Sequence, residues 1–174
     1  MSEPAGTQAF VIGVGSNVEP ERHLPEAVRL LGEKAEVLAV SSAWATAPVG
    51  PAGQPPFVNA AVLLRTNLDP ARVKPELLRP VERAMGRVRS ADRFAPRAID
   101  LDFVAWEGGH LRAEGLELPD PDLLRHAHVA LPASEVAPEW AHPQTGETFA
   151  AIAERLVEAL PAAERPRRLP LSLA

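Results

Sequence analysis

The stretch RFAPRAIDLDFV, residues 93–104, places two carboxylates two positions apart in an apolar run that follows a group of arginines. Successive strand side chains point to opposite faces, so Asp100 and Asp102 share a face if this run is a strand, about 6.5–7 Å apart at Cα. The apolar residues that alternate with them, Ile99 and Leu101 among them, then face the core. Two like charges on a half-buried face repel each other, so the pattern predicts a partner of opposite charge, most directly a divalent cation.

Arginine is concentrated just before this run. Six arginines and two acids lie between positions 79 and 97, a local charge of +4 in a chain of net charge −5. A nucleic-acid binder usually spreads basic charge over a whole face, so this pattern favours a small polyanion carried with Mg²⁺. Arginine can hold phosphate oxygens in bidentate fashion and keeps its charge. The alternative is that the arginines lie on a solvated helix face and an exposed loop, and that the two acids are surface residues of an edge strand.

The composition limits the class of protein. The chain has 174 residues and no cysteine, which excludes disulfides, thiolate metal sites and a cysteine nucleophile. No apolar run is long enough to span a membrane, and the first residues lack the features of a signal peptide. We expect a cytoplasmic protein with one domain over residues 1–160, followed by a flexible tail over residues 161–174.

The pattern of apolar residues and helix breakers predicts the elements of the first half. It predicts strands over 9–17, 36–43 and 57–66, a helix that begins at Pro25 and is closed by Gly32, and an irregular loop over 46–56. A further helix over 70–85 contains Pro75 and Pro80, so we expect it to be kinked or to start late.

The acidic strand is followed by a turn at 107–110, a possible partner strand over 111–118, and helices over 130–136 and 148–160. The order β-α-β-β-α-β is that of an α+β, ferredoxin-like split βαβ fold. Such a fold has an antiparallel sheet, and we expect the helices to pack on one face of it.

Three smaller motifs carry less information. Gly13-x-Gly15 lacks the third glycine of a dinucleotide fingerprint and is interpreted as a tight strand exit. Phe57 and Asn59 share a strand face, where a ring can stack on a flat heterocycle and an amide can bind its edge; a loop-fixing role for Asn59 is equally consistent. The two histidines of residues 126–128 have no third zinc ligand at a sensible spacing and indicate a polar loop.

Together these motifs resemble the 6-hydroxymethyl-7,8-dihydropterin pyrophosphokinase family. The resemblance runs from about Phe10 to Pro132. It is carried by IGVGSN at 12–17, T-x-PVG at 46–50 with Gln54-Pro55, F-x-NAA at 57–61, Glu82 with GR-x-R at 86–89, and PR-x-x-DLD at 96–102.

The resemblance implies transfer of the β,γ-diphosphate of ATP to the pterin hydroxymethyl group in folate biosynthesis, with release of AMP. It implies that Asp100 and Asp102 hold two Mg²⁺ and that Arg87 and Arg97 hold or neutralise the transferring group. The nucleotide side comprises Glu82, Arg79, Arg89, Ile99 and Arg125. The pterin side comprises Thr46, Pro48, Val49, Phe57, Asn59, His128 and Phe94, the last on a loop over Ser90–Pro96 that closes over the site. The implied partners are these small molecules, with no nucleic acid or membrane, and the implied state is a monomer.

This chain departs from the family pattern towards its C-terminus. Asp120 stands where the family commonly has His, and His126 and His128 stand where Arg and Phe are usual, although a one-residue slip lets Arg125 serve as that arginine. These departures are the support for one competing hypothesis, a catalytically weakened ferredoxin-like protein that binds a pterin or nucleotide as a sensor. A second competitor is an Asp-x-Asp sugar-nucleotide transferase, against which the small size of the chain argues.

Overall fold

The structure, a computed structural model, describes residues 6–46, 53, 55–86 and 98–174. The strands are β1 (Gln8–Ser16), β2 (Glu36–Val40), β3 (Ala43–Thr46), β4 (Phe57–Thr66), β5 (Asp100–Trp106), β6 (Leu111–Ala113), β7 (Leu116–Leu118) and β8 (Arg167–Leu169). The helices are α1 (Pro20–Lys34), α2 (Pro70–Val73), a π turn (Lys74–Leu78), α3 (Arg79–Ala84), a 3-10 turn (Pro121–Leu124), α4 (Ala127–Val136), α5 (Phe149–Glu158) and a second 3-10 turn (Ala162–Glu164). Over the described ranges, no helix is both long enough and apolar enough to cross a membrane.

An antiparallel sheet organises the chain. Its strand order is β5-β1-β4-β3-β8, and β2 pairs with the C-terminal part of β4. The central strands β1 and β4 are nine and ten residues long and pair along their whole length. This arrangement confirms the α+β prediction of an antiparallel sheet with helices packed on it. The partner strand predicted over 111–118 is instead a separate hairpin, in which β6 and β7 pair with each other around Gly115 at φ 71°.

Helices cover both faces of the sheet, and not one face as predicted. One core packs the even-numbered side chains of β1, such as Phe10 and Ile12, against α1, the π turn and α3. The other core packs Val11, Ala61 and Val104 against α4 and α5. The face that carries α4 and α5 is therefore apolar beneath these helices, and the polar residues lie at its other end.

Helix α1 begins five residues earlier than predicted. Pro20 occupies the first turn, where its missing N–H costs nothing, and the Glu19 carbonyl accepts the N–H groups of Arg22 and His23 at 3.0 Å. Pro25 is accommodated inside the helix because Leu24 and the apolar residues that follow it are buried on the sheet. Gly32 does not end the helix, which continues to Lys34.

The segment over 70–84 is the interrupted helix that its prolines predict. Asp69 caps its start by accepting the Ala71 N–H at 2.9 Å. Around Pro75 the backbone widens into the π turn, in which the Arg79 N–H bonds the Lys74 carbonyl. A wider turn relieves the clash between a proline ring and the carbonyl four residues earlier. The π turn also sets the position of Lys74, which faces the acidic strand.

The strand predicted over 36–43 is broken at two serines. The buried Ser41 hydroxyl accepts the Ala61 N–H at 2.8 Å and donates to the Ser42 carbonyl at 2.8 Å, while the Ser41 N–H bonds the Ala61 carbonyl. A side chain thus replaces a backbone carbonyl in the ladder, and the chain bends from β2 into β3.

The segment predicted as a flexible tail is built into the sheet. Strand β8 pairs with β3, matching Leu169 with Ala43 and Arg168 with Trp44. Leu173 is 6% exposed and lies in the core. Backbone pairing of β8 and burial of Leu173 hold the C-terminal segment in place, and neither contact could be predicted from the local composition.

We predict that Ser41→Ala destabilises the protein by about 1–3 kcal/mol, because the buried Ala61 N–H loses its acceptor. Denaturant unfolding monitored by circular dichroism measures the change. The matched control is Ser172→Ala, which removes an exposed hydroxyl bonded to the Ala174 carbonyl. Equal stability of the two variants would show that the serine does not hold the bend.

Candidate active site

The candidate site lies on the same face of the sheet as α4, at the end that α4 leaves uncovered. In the register of β1 with β5, Gly15 lies opposite Asp100 and Gly13 lies opposite Asp102. On the other side of β1, Gly15 lies opposite Asn59 of β4. Directly opposed residues of an antiparallel pair share a face, so the two acids and Asn59 lie on one surface with the glycines between them.

The two glycines keep the floor of this surface open. A Cβ on Gly15 would lie 3.0 Å from Asn59 Oδ1 and 3.5 Å from Phe57 Cε1, and a Cβ on Gly13 would lie 3.3 Å from Val104 Cγ2. The Asn59 side chain therefore leans over Gly15. The interpretation of Gly13-x-Gly15 as a strand exit missed this role, although a glycine within a strand is a known sign of close approach. The signal that could have found it is the shared two-residue spacing with Asp100 and Asp102.

Strand β3 supplies the far side of the surface. Trp44 lies opposite Asn59, and Thr46 lies opposite Phe57. The structure thus brings together three residues predicted for the pterin side, Thr46, Phe57 and Asn59. Trp44 was not predicted, because its place depends on the bend at the serines.

Glu82 supports the strand that carries the acids. Strand β5 is an edge strand of the sheet, and Glu82 Oε1 accepts the Leu101 N–H at 3.0 Å. The Glu82 side chain is buried, at 5% exposure. On the outer edge of β5, where no further strand pairs, the Glu82 carboxylate accepts the backbone N–H between the two acids. This bond holds the backbone from which both acids project. Its predicted role at the nucleotide stays a prediction.

Negative charge accumulates around Asp102. Solvent contacts this side chain, but the surrounding protein displaces bulk water farther out, and this desolvation is the main reason why its pKa rises to about 7. Repulsion from Asp100 and Asp120 raises the pKa further, whereas the positive charge of Lys74 lowers it. Desolvation also raises the pKa of Asp120, and Lys74 again opposes it. Lys74, half-buried in the π turn, is a cation of this site that the sequence patterns did not single out.

Two histidines stack where α4 begins. The rings of His126 and His128 lie 5.2 Å apart at an interplanar angle of 24°. Desolvation, followed by repulsion from His126, lowers the pKa of His128. The ring is therefore neutral at pH 7, and a neutral imidazole keeps an aromatic face available for stacking.

The remaining predicted residues divide into three groups. Ile99 is fully buried in the core, which leaves its backbone as the part that could contact a nucleotide, and its role at the nucleotide site stays a prediction. Arg79 and Arg125 are exposed, and their roles stay predictions. The predictions for Pro48, Val49, Arg87, Arg89, Phe94 and Arg97, and for the closing loop, fall outside the described residues.

Among the described residues, a hard cation at this site would need oxygen ligands from a substrate or water in addition to the two acids. Within the ranges that the structure describes, no three His, Asp or Glu side chains cluster closely enough to enclose a metal ion. Asp100 and Asp102 nevertheless present carboxylate oxygens on one face, and their mutual repulsion raises the pKa of Asp102. This donor set suits Mg²⁺, which uses one or two protein carboxylates and completes its octahedron with water and phosphate oxygens.

The fold and the site define a ferredoxin-like α+β protein with paired carboxylates on an open sheet face. Comparison with known proteins then identifies the family. The family model described as 7,8-dihydro-6-hydroxymethylpterin-pyrophosphokinase (HPPK) matches residues 11–138, and the chain belongs to this family.

Curated relatives support the assignment over most of the chain. A 2-amino-4-hydroxy-6-hydroxymethyldihydropteridine pyrophosphokinase of Methylorubrum extorquens is 38% identical over 136 residues, 76% of this chain and 84% of that protein. The protein of the same name from Pseudomonas aeruginosa is 33% identical over 162 residues, 90% of this chain and 99% of that protein.

A solved structure shares the fold. The crystal structure of wild-type Plasmodium falciparum HPPK-DHPS with pterin and p-hydroxybenzoate aligns with a TM-score of 0.73 at 14% identity. The alignment covers 96% of this chain and 47% of that one, so this chain spans about half of the solved protein.

We predict that Asp102→Asn stabilises the metal-free protein at pH 8 and not at pH 3.5. The folded-state pKa of Asp102 is raised, so ionisation destabilises the folded state progressively between the ordinary value near 4 and about pH 7. Above pH 7 we expect a gain of roughly 1–2 kcal/mol, less than the full linkage value because solvent reaches the side chain. Thermal melts in EDTA measure it, with Glu107→Gln as the exposed control after the same strand. A gain that is the same at both pH values would contradict the raised pKa of Asp102.

Proposed function

We propose that this chain transfers the β,γ-diphosphate of ATP to the hydroxymethyl group of 6-hydroxymethyl-7,8-dihydropterin with two Mg²⁺ held by Asp100 and Asp102. Membership of the pyrophosphokinase family supplies the reaction, a step of folate biosynthesis. The observation that carries the residue assignment is the common face of the sheet, on which Gly15 separates Asp100 from Asn59 and Gly13 lies opposite Asp102. The proposal includes a monomer that acts in the cytoplasm, where ATP is available.

The geometry separates two ends of a substrate. Asn59 and Asp100 both pair with Gly15, from opposite sides, so their Cα atoms lie about two strand spacings apart, roughly 9–10 Å. A two-ring heterocycle bound at Asn59 can therefore point an exocyclic CH₂OH group at phosphates held near Asp100. The alignment of the two substrates is set by the sheet, which favours reaction by positioning.

The pterin end is built for a flat polar ring. Asn59 can pair its amide with the edge of the heterocycle, and Phe57, beside it on the same face, offers a ring for stacking. Thr46 lies next to Phe57. In the proposal His128 supplies a second aromatic wall, with its ring neutral at pH 7. Pro48, Val49 and Phe94 complete this pocket in the proposal.

The phosphate end concentrates opposite charges. Bound Mg²⁺ would neutralise phosphate charge and make the phosphorus more electrophilic. Arg87 and Arg97 are proposed to grip the transferring group, and Arg79, Arg89 and Arg125 to bind the nucleotide. Among the described residues, Lys74 adds a positive charge that lowers the pKa of both Asp102 and Asp120. The hydroxymethyl oxygen attacks the β-phosphorus and loses its proton to water, the bond between the β-phosphorus and the oxygen that bridges it to the α-phosphorus is replaced by the new P–O bond, and AMP leaves with the bridging oxygen.

We predict that AMP forms in equal amount with a diphosphorylated pterin, only when Mg²⁺ and the pterin are both present. Chromatography of the nucleotides measures this. Asp100→Ala and Asp102→Ala should each lower turnover by at least about 10³-fold with near-native circular dichroism, because each removes a metal-binding carboxylate. Glu107→Ala is the control. Pterin-dependent ADP, or AMP production that survives loss of either acid, would overturn the assignment; binding without any product would indicate a sensor.

We predict that Gly15→Ala raises the KM for the pterin by about tenfold or more, because a Cβ 3.0 Å from Asn59 Oδ1 displaces the amide. The control is Gly32→Ala in α1, where a Cβ meets Val37 at an ordinary 3.5 Å. That change should leave KM unaltered and stabilise the helix by up to about 1 kcal/mol. Steady-state kinetics and thermal melts check both. An unchanged pterin KM in Gly15→Ala would place the pterin elsewhere.

A further inference from the structure

A single carboxylate ties helix α4 to the start of β3. Glu135, in the last turn of α4, accepts a hydrogen bond from the Ser42 hydroxyl at 2.9 Å and a weaker one from the Ser42 N–H at 3.3 Å. Its other oxygen accepts the indole N–H of Trp44. Three donors from one short segment thus converge on one carboxylate and replace water that would otherwise solvate it.

The other edge of the same strand is held by the C-terminus. Strand β3 has only four residues and pairs with β4 on one side and with β8 on the other. Leu173, four residues after β8, is buried in the core, and Leu171 packs against that core. Strand β3 is therefore fixed by Glu135 from α4 and by β8 along its outer edge.

Trp44 is the residue through which these anchors can act on the site. Asn59 has two cross-strand neighbours on its face, Gly15 and Trp44. Gly15 has no side chain, and the Asn59 amide leans into that space. Of the two cross-strand neighbours, only Trp44 can confine the amide sideways, and its ring orientation is set by the bond to Glu135.

We infer that Glu135 is a positioning residue for pterin recognition, acting through Trp44 on Asn59, while β8 holds the outer edge of β3. The inference rests on the proposed function, because it takes Asn59 as the group that binds the pterin. It assigns a role in specificity to a helix residue that touches no substrate. It also predicts a selective effect, since the phosphate end is anchored separately by Glu82 and β5.

Four variants test the inference by steady-state kinetics. Glu135→Ala should raise the KM for the pterin by about tenfold and change kcat and the KM for ATP by less than about twofold. Glu135→Gln retains one acceptor oxygen and should give an intermediate rise. Trp44→Phe keeps an aromatic ring but loses the N–H donor, and should raise the pterin KM by about fivefold. Glu154→Ala, exposed on α5, is the matched control and should leave every constant unchanged.

The double variant Trp44→Phe/Glu135→Ala distinguishes a positioning role of Glu135 through Trp44 from a general contribution of Glu135 to the stability of the fold. If Glu135 acts through Trp44, its loss costs little more once the indole N–H is gone, so the combined rise in pterin KM is less than the product of the single effects. Multiplicative effects, an unchanged pterin KM in Glu135→Ala, or an equal loss in kcat and both KM values would overturn the inference. Wild-type protein that yields no AMP would instead refute the proposed function, which keeps the two failures distinct.

Discussion

The pairing of β1 with β4 and β5 is the constraint on which the site depends. Because each strand is hydrogen-bonded to its neighbour in a fixed register, Gly15 is placed between Asp100 and Asn59. A slip of one residue in either pairing would turn the affected side chains into the apolar core. The register is protected by that core, where Phe10 and Ile12 alternate with the residues of the site face. Hydrophobic burial on one face thus fixes the chemistry on the other.

The site face also carries an electrostatic cost. Desolvation first, and then repulsion from Asp100 and Asp120, raises the pKa of Asp102, and the positive charge of Lys74 offsets only part of this effect. The fold tolerates this charge because β5 is held by its ladder to β1 and by the buried carboxylate of Glu82. Repulsion that remains in the free protein would be relieved by a bound cation, so part of the free energy of binding the proposed Mg²⁺ would come from the fold itself.

Local patterns could predict much of this arrangement. Alternation along 57–66 gave strand β4 with its bounds and put Phe57 and Asn59 on one face, and the same reasoning put Asp100 and Asp102 together. What local patterns could not supply is pairing between distant segments. The bend at Ser41 depends on a bond to Ala61, and the order of the C-terminus depends on β3. For Ile99, alternation alone placed the residue in the core, where it lies, whereas its contact with a nucleotide was suggested by the family resemblance and stays a prediction.

The departures of this chain from its family pattern lie outside the paired strands of the site. Asp120 precedes the 3-10 turn that follows β7, and His128 lies in the first turn of α4, so neither belongs to the strands that set the distance between Asn59 and Asp100. A change there alters the wall and the charge of the site but not the alignment of the two substrate ends. In the proposed function, the His128 ring would take the place of the aromatic residue usual in the family, because desolvation lowers its pKa, whereas Asp120 would add charge that Lys74 opposes. The proposed alignment of the two substrates therefore depends on the strand register and not on the side chains at positions 120 and 128.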